Sequence, residues 1–115
     1  MQLALTEEQQ MIQETARQFA DSELAPNAAA LDEHEGRDIL LGNLKSLAEL
    51  GFMGLNMKAE YGGSEAGVVA FSVAITEIAR ACASTAVTMS VSNMVAEVIQ
   101  AVGNDDQKQR YIPRI

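Results

Sequence analysis

Residues 80–95, RACASTAVTMSVSNMV, decide the fold of this chain. No side chain between Ala81 and Ala96 is charged, and Ser, Thr and Asn recur among small apolar residues. Such a stretch is too polar for an ordinary core and too uncharged for an ordinary surface. Buried Ser and Thr hydroxyls can bond the carbonyl oxygen four residues back, so they need no distant partner. The pattern predicts a helix over about 84–102 that packs closely on another helix or walls a cavity.

Helical periodicity also dominates the rest of the chain, and no alternating strand pattern appears. Thr6 and Gln9 form a capping box for a first helix that should end before Pro26. Gly51 and Gly103 stand where two later helices should stop. We therefore expect an all-α fold, an orthogonal or up-down bundle of about five to six helices. The first two expected helices cover 7–23 and, in a short segment, 27–35. Leu40, Leu44 and Leu47 mark the third. The next two cover 68–80 and 84–102, and a last short helix begins near Asn104 and ends at Pro113.

The stretch between the third and fourth helices, FMGLNMKAEYGGSEAG (52–67), shows no helical period and predicts a loop with a tight Gly62-Gly63 turn. The next two helices, 68–80 and 84–102, show no obvious polar face. A helix that is apolar nearly all round is buried nearly all round. We therefore expect more chain, another subunit or a ligand to cover them.

Composition excludes several classes of partner. The chain has 115 residues, 16 acidic and 8 basic side chains, and a net charge of −8, which disfavours nucleic acid. It has no basic amphipathic helix for a membrane surface, and the uncharged stretch is shorter than the ~20 apolar residues that span a bilayer. A single cysteine forbids an intramolecular disulfide, and the first residues lack a signal-peptide pattern. We expect a cytoplasmic protein that binds neither membrane nor nucleic acid.

Catalytic and metal-binding motifs are absent from the sequence: it contains no G-x-G-x-x-G, P-loop, H-E-x-x-H or paired-cysteine pattern. His34 is expected at the surface, and Cys82 is expected to be a small buried hydrophobe rather than a nucleophile. Glu77 and Glu97 interrupt apolar helices and are either buried acids with shifted pKa values or ordinary polar groups. The second interpretation is preferred, with Glu77 paired to Arg80 and Glu97 at a solvent edge. We assign no catalytic residue and no metal ligand.

Five segments in the same order resemble the N-terminal helical domain of the acyl-CoA dehydrogenase family. The resemblance extends over essentially all 115 residues, and no single motif is unique to the family. The segments are LTEEQQMIQETARQFADSELAPNAAALDEH (5–34), LKSLAELGFMGL (44–55), EYGG (60–63), EIARACASTAVTMSVSNMV (77–95) and GNDDQKQRYIPRI (103–115).

The resemblance implies a three-domain enzyme that uses FAD to oxidise an acyl-CoA to the trans-2-enoyl-CoA. In the family a glutamate removes the α-proton, the β-hydrogen leaves as hydride, and electrons usually pass to electron-transferring flavoprotein. Residues 1–115 would be the N-terminal α-helical domain, without the middle β-domain and the C-terminal α-domain that supply the glutamate and most FAD contacts. We expect the isolated chain to be inactive and not to bind FAD tightly, and the whole enzyme to be a homo-oligomer.

The resemblance also implies a site. The helix over 84–102 would wall the slot for the acyl chain, through Ala86, Val87, Ser90 and Met94 on one helical face. Thr85, Thr88 and Asn93 are expected to be packing groups, and no FAD-binding residue is assigned. Two alternatives remain open: a stand-alone helical interaction module derived from the same fold, and the matching domain of a flavin oxidase or monooxygenase.

Overall fold

The computed structural model describes residues 2–33 and 36–115, which form five α-helices joined by short turns. His34, which was expected at the surface, lies outside the described residues. The described part contains no strand, and its helices are as follows: α1 Glu7–Phe19, α2 Gly36–Glu49, α3 Val68–Ala81, α4 Ala83–Val102 and α5 Asp105–Tyr111. The all-α prediction is therefore confirmed.

The first helix begins as predicted, and the α-helix with its π turn ends close to the predicted position. Thr6 Oγ1 accepts from the Gln9 backbone, and Gln9 Oε1 accepts from the Thr6 backbone, which completes the capping box. Beyond α1 the chain continues through a wider π turn, Ala20–Leu24, and a 3-10 turn, Ala25–Asn27. The α-helix and its π turn both end before Pro26, as predicted, and Pro26 lies in the first turn of a new 3-10 segment, a position that a proline fits. A further 3-10 turn, Ala29–Asp32, stands where the short second helix was predicted.

The glycine-rich loop folds on itself between α2 and α3. Gly51 has φ +82° and ends α2 in the left-handed conformation, as predicted. Two 3-10 turns follow, Phe52–Gly54 and Ala59–Tyr61. Gly63 lies so close to the loop backbone that an added Cβ would be 2.1 Å from Met57 O. Backbone hydrogen bonds between the two limbs of the loop hold this close approach.

The helices form a layered arrangement in which α3 packs on both α1 and α4, and α2 packs on α4. Alanines at the contacts let the backbones approach closely. The main core contains Ala16, Ala20, Leu24, Leu47, Phe52, Leu55, Ala74, Ile78, Cys82, Ala86 and Met89. Cys82 is buried at the junction of α3 and α4, which confirms its predicted structural role.

One side of α3 departs from the prediction that this helix is buried nearly all round. Ser72, Thr76 and Arg80 are exposed at a spacing of four residues, beside the exposed Val68 and Val69. These three residues form a polar stripe that α1 and α4 leave open. The apolar residues on either side of the stripe obscured it in the sequence.

The domain is a flat slab of 41 × 38 × 19 Å. Its radius of gyration is 14.6 Å, compared with about 13 Å for a compact domain of this length. A slab two helices thick exposes a large share of each helix to its surroundings. The face of α4 described next lies on this open surface.

Candidate functional site

One face of α4 is exposed and almost wholly apolar. Val87 is 63% exposed and Met94 is 55% exposed, and neither has a partner within the described part of the chain that hides it from solvent. The exposed positions recur at three or four residues and therefore form one stripe along the helix. We call this surface the valine stripe; it comprises Val87, Val91, Met94, Val95, Val98 and Val102.

The opposite face of α4 packs into the protein and fixes which side chains remain outside. Its buried residues are Thr85, Ala86, Met89, Asn93 and Ala96. Thr85 accepts a hydrogen bond from Asn43 Nδ2 in α2 at 3.2 Å and lies 3.2 Å from Cys82 Sγ. Thr88 donates to the Ser84 carbonyl oxygen, four residues back. The Thr88 hydroxyl is thus satisfied locally, as the sequence indicated, whereas the Thr85 hydroxyl bonds a distant helix.

The four residues predicted to line a slot occupy an oblique band on α4. Ala86 is buried in the core, Ser90 is half-buried, and Val87 and Met94 are exposed. The band therefore runs from the core edge to the valine stripe, and it spans about 12 Å along the helix at 1.5 Å per residue. Ala86 lies at the buried edge of the band, whereas Val87, Ser90 and Met94 are accessible from its surface.

The prediction omitted most of the valine stripe. Val91, Val95, Val98 and Val102 are exposed beside the predicted residues and extend the apolar surface towards the end of α4. Their helical spacing is visible in the sequence, but spacing alone does not distinguish a buried face from an exposed one. Only the packing of α2 and α3 on the other side of α4 decides between them.

Glu77 is 8% exposed and is held by two arginines. Arg17 Nη2 donates to its Oε1 at 3.0 Å, and Arg80 Nε donates to its Oε2 at 3.1 Å. These hydrogen bonds, that of Arg17 first, lower the pKa of Glu77 below its usual range despite burial. The carboxylate stays ionised at neutral pH and ties α1 to α3. The predicted pairing with Arg80 is confirmed, whereas Arg17 was not foreseen.

Glu97 is half-buried, and it accepts a hydrogen bond from Asn56 Nδ2. It lines an open depression of about 490 Å³ together with Lys58, Glu65 and Gln100. Across residues 2–33 and 36–115 no group of three His, Cys, Asp or Glu side chains could hold a metal ion. No helix in the same ranges is long and apolar enough to cross a membrane.

Known proteins resemble this chain in both sequence and fold. Residues 6–115 match the family described as acyl-CoA dehydrogenase, N-terminal domain. The chain belongs to the acyl-CoA dehydrogenase family. The short-chain specific acyl-CoA dehydrogenase of Clostridium acetobutylicum is 34% identical over 113 residues, which are 97% of this chain and 29% of that protein.

Two solved structures superpose closely on the chain. The structure described as the electron transferring flavoprotein of Acidaminococcus fermentans has a TM-score of 0.85 and 32% identity, over 100% of this chain and 30% of that one. Butyryl-CoA dehydrogenase from Megasphaera elsdenii has a TM-score of 0.82 and 28% identity, over 98% of this chain and 30% of that one. The chain thus spans less than a third of the length of the acyl-CoA dehydrogenases that it matches.

Proposed function

We propose that this chain is the N-terminal α-domain of an FAD-dependent acyl-CoA dehydrogenase that oxidises an acyl-CoA to the trans-2-enoyl-CoA. A middle β-domain and a C-terminal α-domain complete the enzyme. The family membership supports this organisation, as does the share of about 30% that the chain covers in its relatives. Residues 1–115 contribute structure and one wall of the substrate site, and the catalytic base comes from outside them.

The uncharged open face of α4 is the observation that supports an acyl slot. Each methylene that leaves water for an apolar wall gains about 0.8 kcal/mol, whereas an unpaired charge beside a lipid tail would cost several kcal/mol. Val87 and Met94 supply apolar contact, and Ser90 is small enough to leave room beside the helix. This chemistry suits a slender hydrocarbon and offers nothing to a charged ligand.

The substrate class that we propose is a short acyl-CoA. The relative from Clostridium acetobutylicum is named as short-chain specific, and the matched enzyme from Megasphaera elsdenii is named for butyryl-CoA. A four-carbon chain needs only the part of the slot nearest its thioester. The side chains that close the far end therefore decide how much longer a substrate can be.

FAD binding belongs to the rest of the enzyme, because acidic side chains stand at three of the five α-helix N-termini that the structure describes. The first turns of α1, α2 and α5 carry Glu or Asp, which oppose an anion at a helix N-terminus. At the start of α3, the carboxylates of Glu65 and Glu97 line the adjoining depression. We therefore route no chemical step through a flavin held by this chain.

The remaining partners follow from the family and from one structural match. We propose that the whole enzyme passes its electrons to electron-transferring flavoprotein, which agrees with the matched structure from Acidaminococcus fermentans. We also propose a homo-oligomer in the cytoplasm. The valine stripe is long enough to contact other parts of the enzyme in addition to a substrate.

A chimeric enzyme tests the proposed function. Residues 1–115 replace the matching domain of the Clostridium acetobutylicum relative, and butyryl-CoA oxidation is followed by dye reduction. We expect activity, and we expect Val87→Glu to reduce kcat/KM at least tenfold because it buries a charge in the slot. The matched control, Thr76→Glu on the exposed stripe of α3, should leave the rate unchanged. A chimera that folds and holds FAD but oxidises no acyl-CoA would refute the proposal, as would equal rates for both variants.

A further inference from the structure

Asn93 is the most extensively bonded side chain on α4. It is 1% exposed, and two of its three hydrogen bonds go to the loop that follows α2. Its Oδ1 accepts from the Leu55 backbone N–H at 3.2 Å, and its Nδ2 donates to the carbonyl oxygens of Phe52 at 3.1 Å and Met89 at 3.0 Å. The amide thus clamps the turn Phe52–Gly54 onto α4.

Two further side chains of α4 also bind the loop that follows α2. Glu97 accepts from Asn56 Nδ2, while Gln100 accepts from the Lys58 backbone N–H at 2.8 Å. Both are only half-buried, so solvent can replace their partners. Asn93 is different, because the buried polar groups of Phe52 and Leu55 would lose their partner if it moved.

We propose that Asn93 is the positioning residue that fixes the rotation of α4 about its axis and thereby presents Val87, Ser90 and Met94 to the acyl slot. The proposal rests on the function proposed above. One residue of an α-helix corresponds to about 100° of rotation, so a small turn of α4 would carry Asn93 away from the loop. The same turn would move Met94, its neighbour in sequence, out of the band that faces the slot.

Asn93→Leu removes the clamp and keeps the number and branching of the side-chain heavy atoms. In the 115-residue chain we expect the Leu55 amide to exchange at least tenfold faster and the Met94 methyl resonance to shift. Met11, exposed on α1, serves as the internal reference. Thr85→Val is the matched control, since it removes a buried hydrogen bond of α4 to α2 without touching the loop.

Activity in the chimeric enzyme separates positioning from mere stability. For Asn93→Leu we expect the ratio of kcat/KM for butyryl-CoA and octanoyl-CoA to change at least fivefold, mainly through KM. A Thr85→Val enzyme with an equal loss of Tm should keep the ratio of the unmodified chimera. An unchanged ratio with an unmoved Met94 resonance would overturn the proposal, and so would equal effects of both variants. If the chimera oxidises no acyl-CoA, the proposed function fails, and the Met94 resonance still decides whether Asn93 sets the rotation.

Discussion

Arg17 in α1 donates a hydrogen bond from Nη2 to Oε1 of Glu77 in α3 across 3.0 Å, although 60 residues separate them in sequence. Arg80 holds the other oxygen of the same carboxylate and also bonds Asp21 at 2.7 Å. The first and third helices are thus joined through one ionised carboxylate that is almost inaccessible to solvent.

Stability should fall in acid because of Glu77. The pKa of Glu77 is lower in the folded chain than in the unfolded chain. The contribution of Glu77 to the free energy of unfolding is therefore complete above the unfolded pKa, about 4.3. That contribution is lost as the pH falls through the folded pKa. We expect Glu77→Gln to cost about 1–3 kcal/mol at pH 7 and to flatten the decline below about pH 4.5. Urea unfolding between pH 2.5 and pH 7 measures both effects. The control, Glu14→Gln, removes only an exposed pair with Arg17 and should change little; an equal loss from both variants would contradict the role of Glu77.

Gly63→Ala should destabilise the loop that faces α4. The new Cβ would lie 2.1 Å from Met57 O, so backbone must move, and we expect a loss of at least about 1 kcal/mol. Gly42→Ala provides the opposite control, because its Cβ would meet nothing within 4 Å on an exposed side of α2. Alanine is favoured there by about 0.5–1 kcal/mol. Thermal unfolding of both variants should show Tm changes of opposite sign, and a neutral Gly63→Ala would show that the loop is not tightly packed.

The isolated chain should self-associate or bind a hydrophobic dye through the valine stripe. Contiguous exposed apolar surfaces are rare on monomers that act alone. Val98, which is 55% exposed, lies in the C-terminal half of the stripe. We expect Val98→Lys to lower dye fluorescence and the sedimentation-average mass, whereas Gln109→Lys on α5 should not. A compact monomer that binds no dye before any substitution would contradict this expectation.

Flavin should bind the isolated chain weakly or not at all. Acidic first turns on three helices and the carboxylates near α3 oppose a diphosphate. Titration of FAD fluorescence with the chain should show no saturation at micromolar protein. Sub-micromolar binding by the monomer would show that this chain contains a flavin site of its own.

The helices could be predicted because their signals are local. Thr6 with Gln9, and Asn104 with Gln107, form capping boxes, and Gly51 adopts the left-handed conformation that ends a helix. The 3-10 turn Ala25–Asn27 was not predicted, because a proline that follows a helix can either begin a new helical turn or leave the chain non-helical. A local pattern does not distinguish these two outcomes.

The environment of each side chain was harder to predict because it depends on contacts across the fold. Asn93 was expected only to fill space, yet it bonds a loop about 40 residues away. Ala86 was placed at the slot surface and is buried in the core. Its helical position was correct, but the direction in which α4 faces is set by Phe52 and Leu55, which no periodicity in α4 reveals.

The proposed acyl wall is tested most directly by the chain-length profile of Ser90→Phe in the chimeric enzyme. Ser90 is half-buried in the band between Val87 and Met94, and a phenyl ring there would fill the space of distal methylenes. Excluding three methylenes at about 0.8 kcal/mol each would lower the relative kcat/KM for the longer substrate about 50-fold. Thermal unfolding is measured alongside, since overpacking costs ~1–3 kcal/mol. We predict that octanoyl-CoA oxidation falls about 50-fold relative to butyryl-CoA oxidation at nearly unchanged Tm; an unchanged ratio at normal stability would contradict the assignment of this face of α4 to the slot.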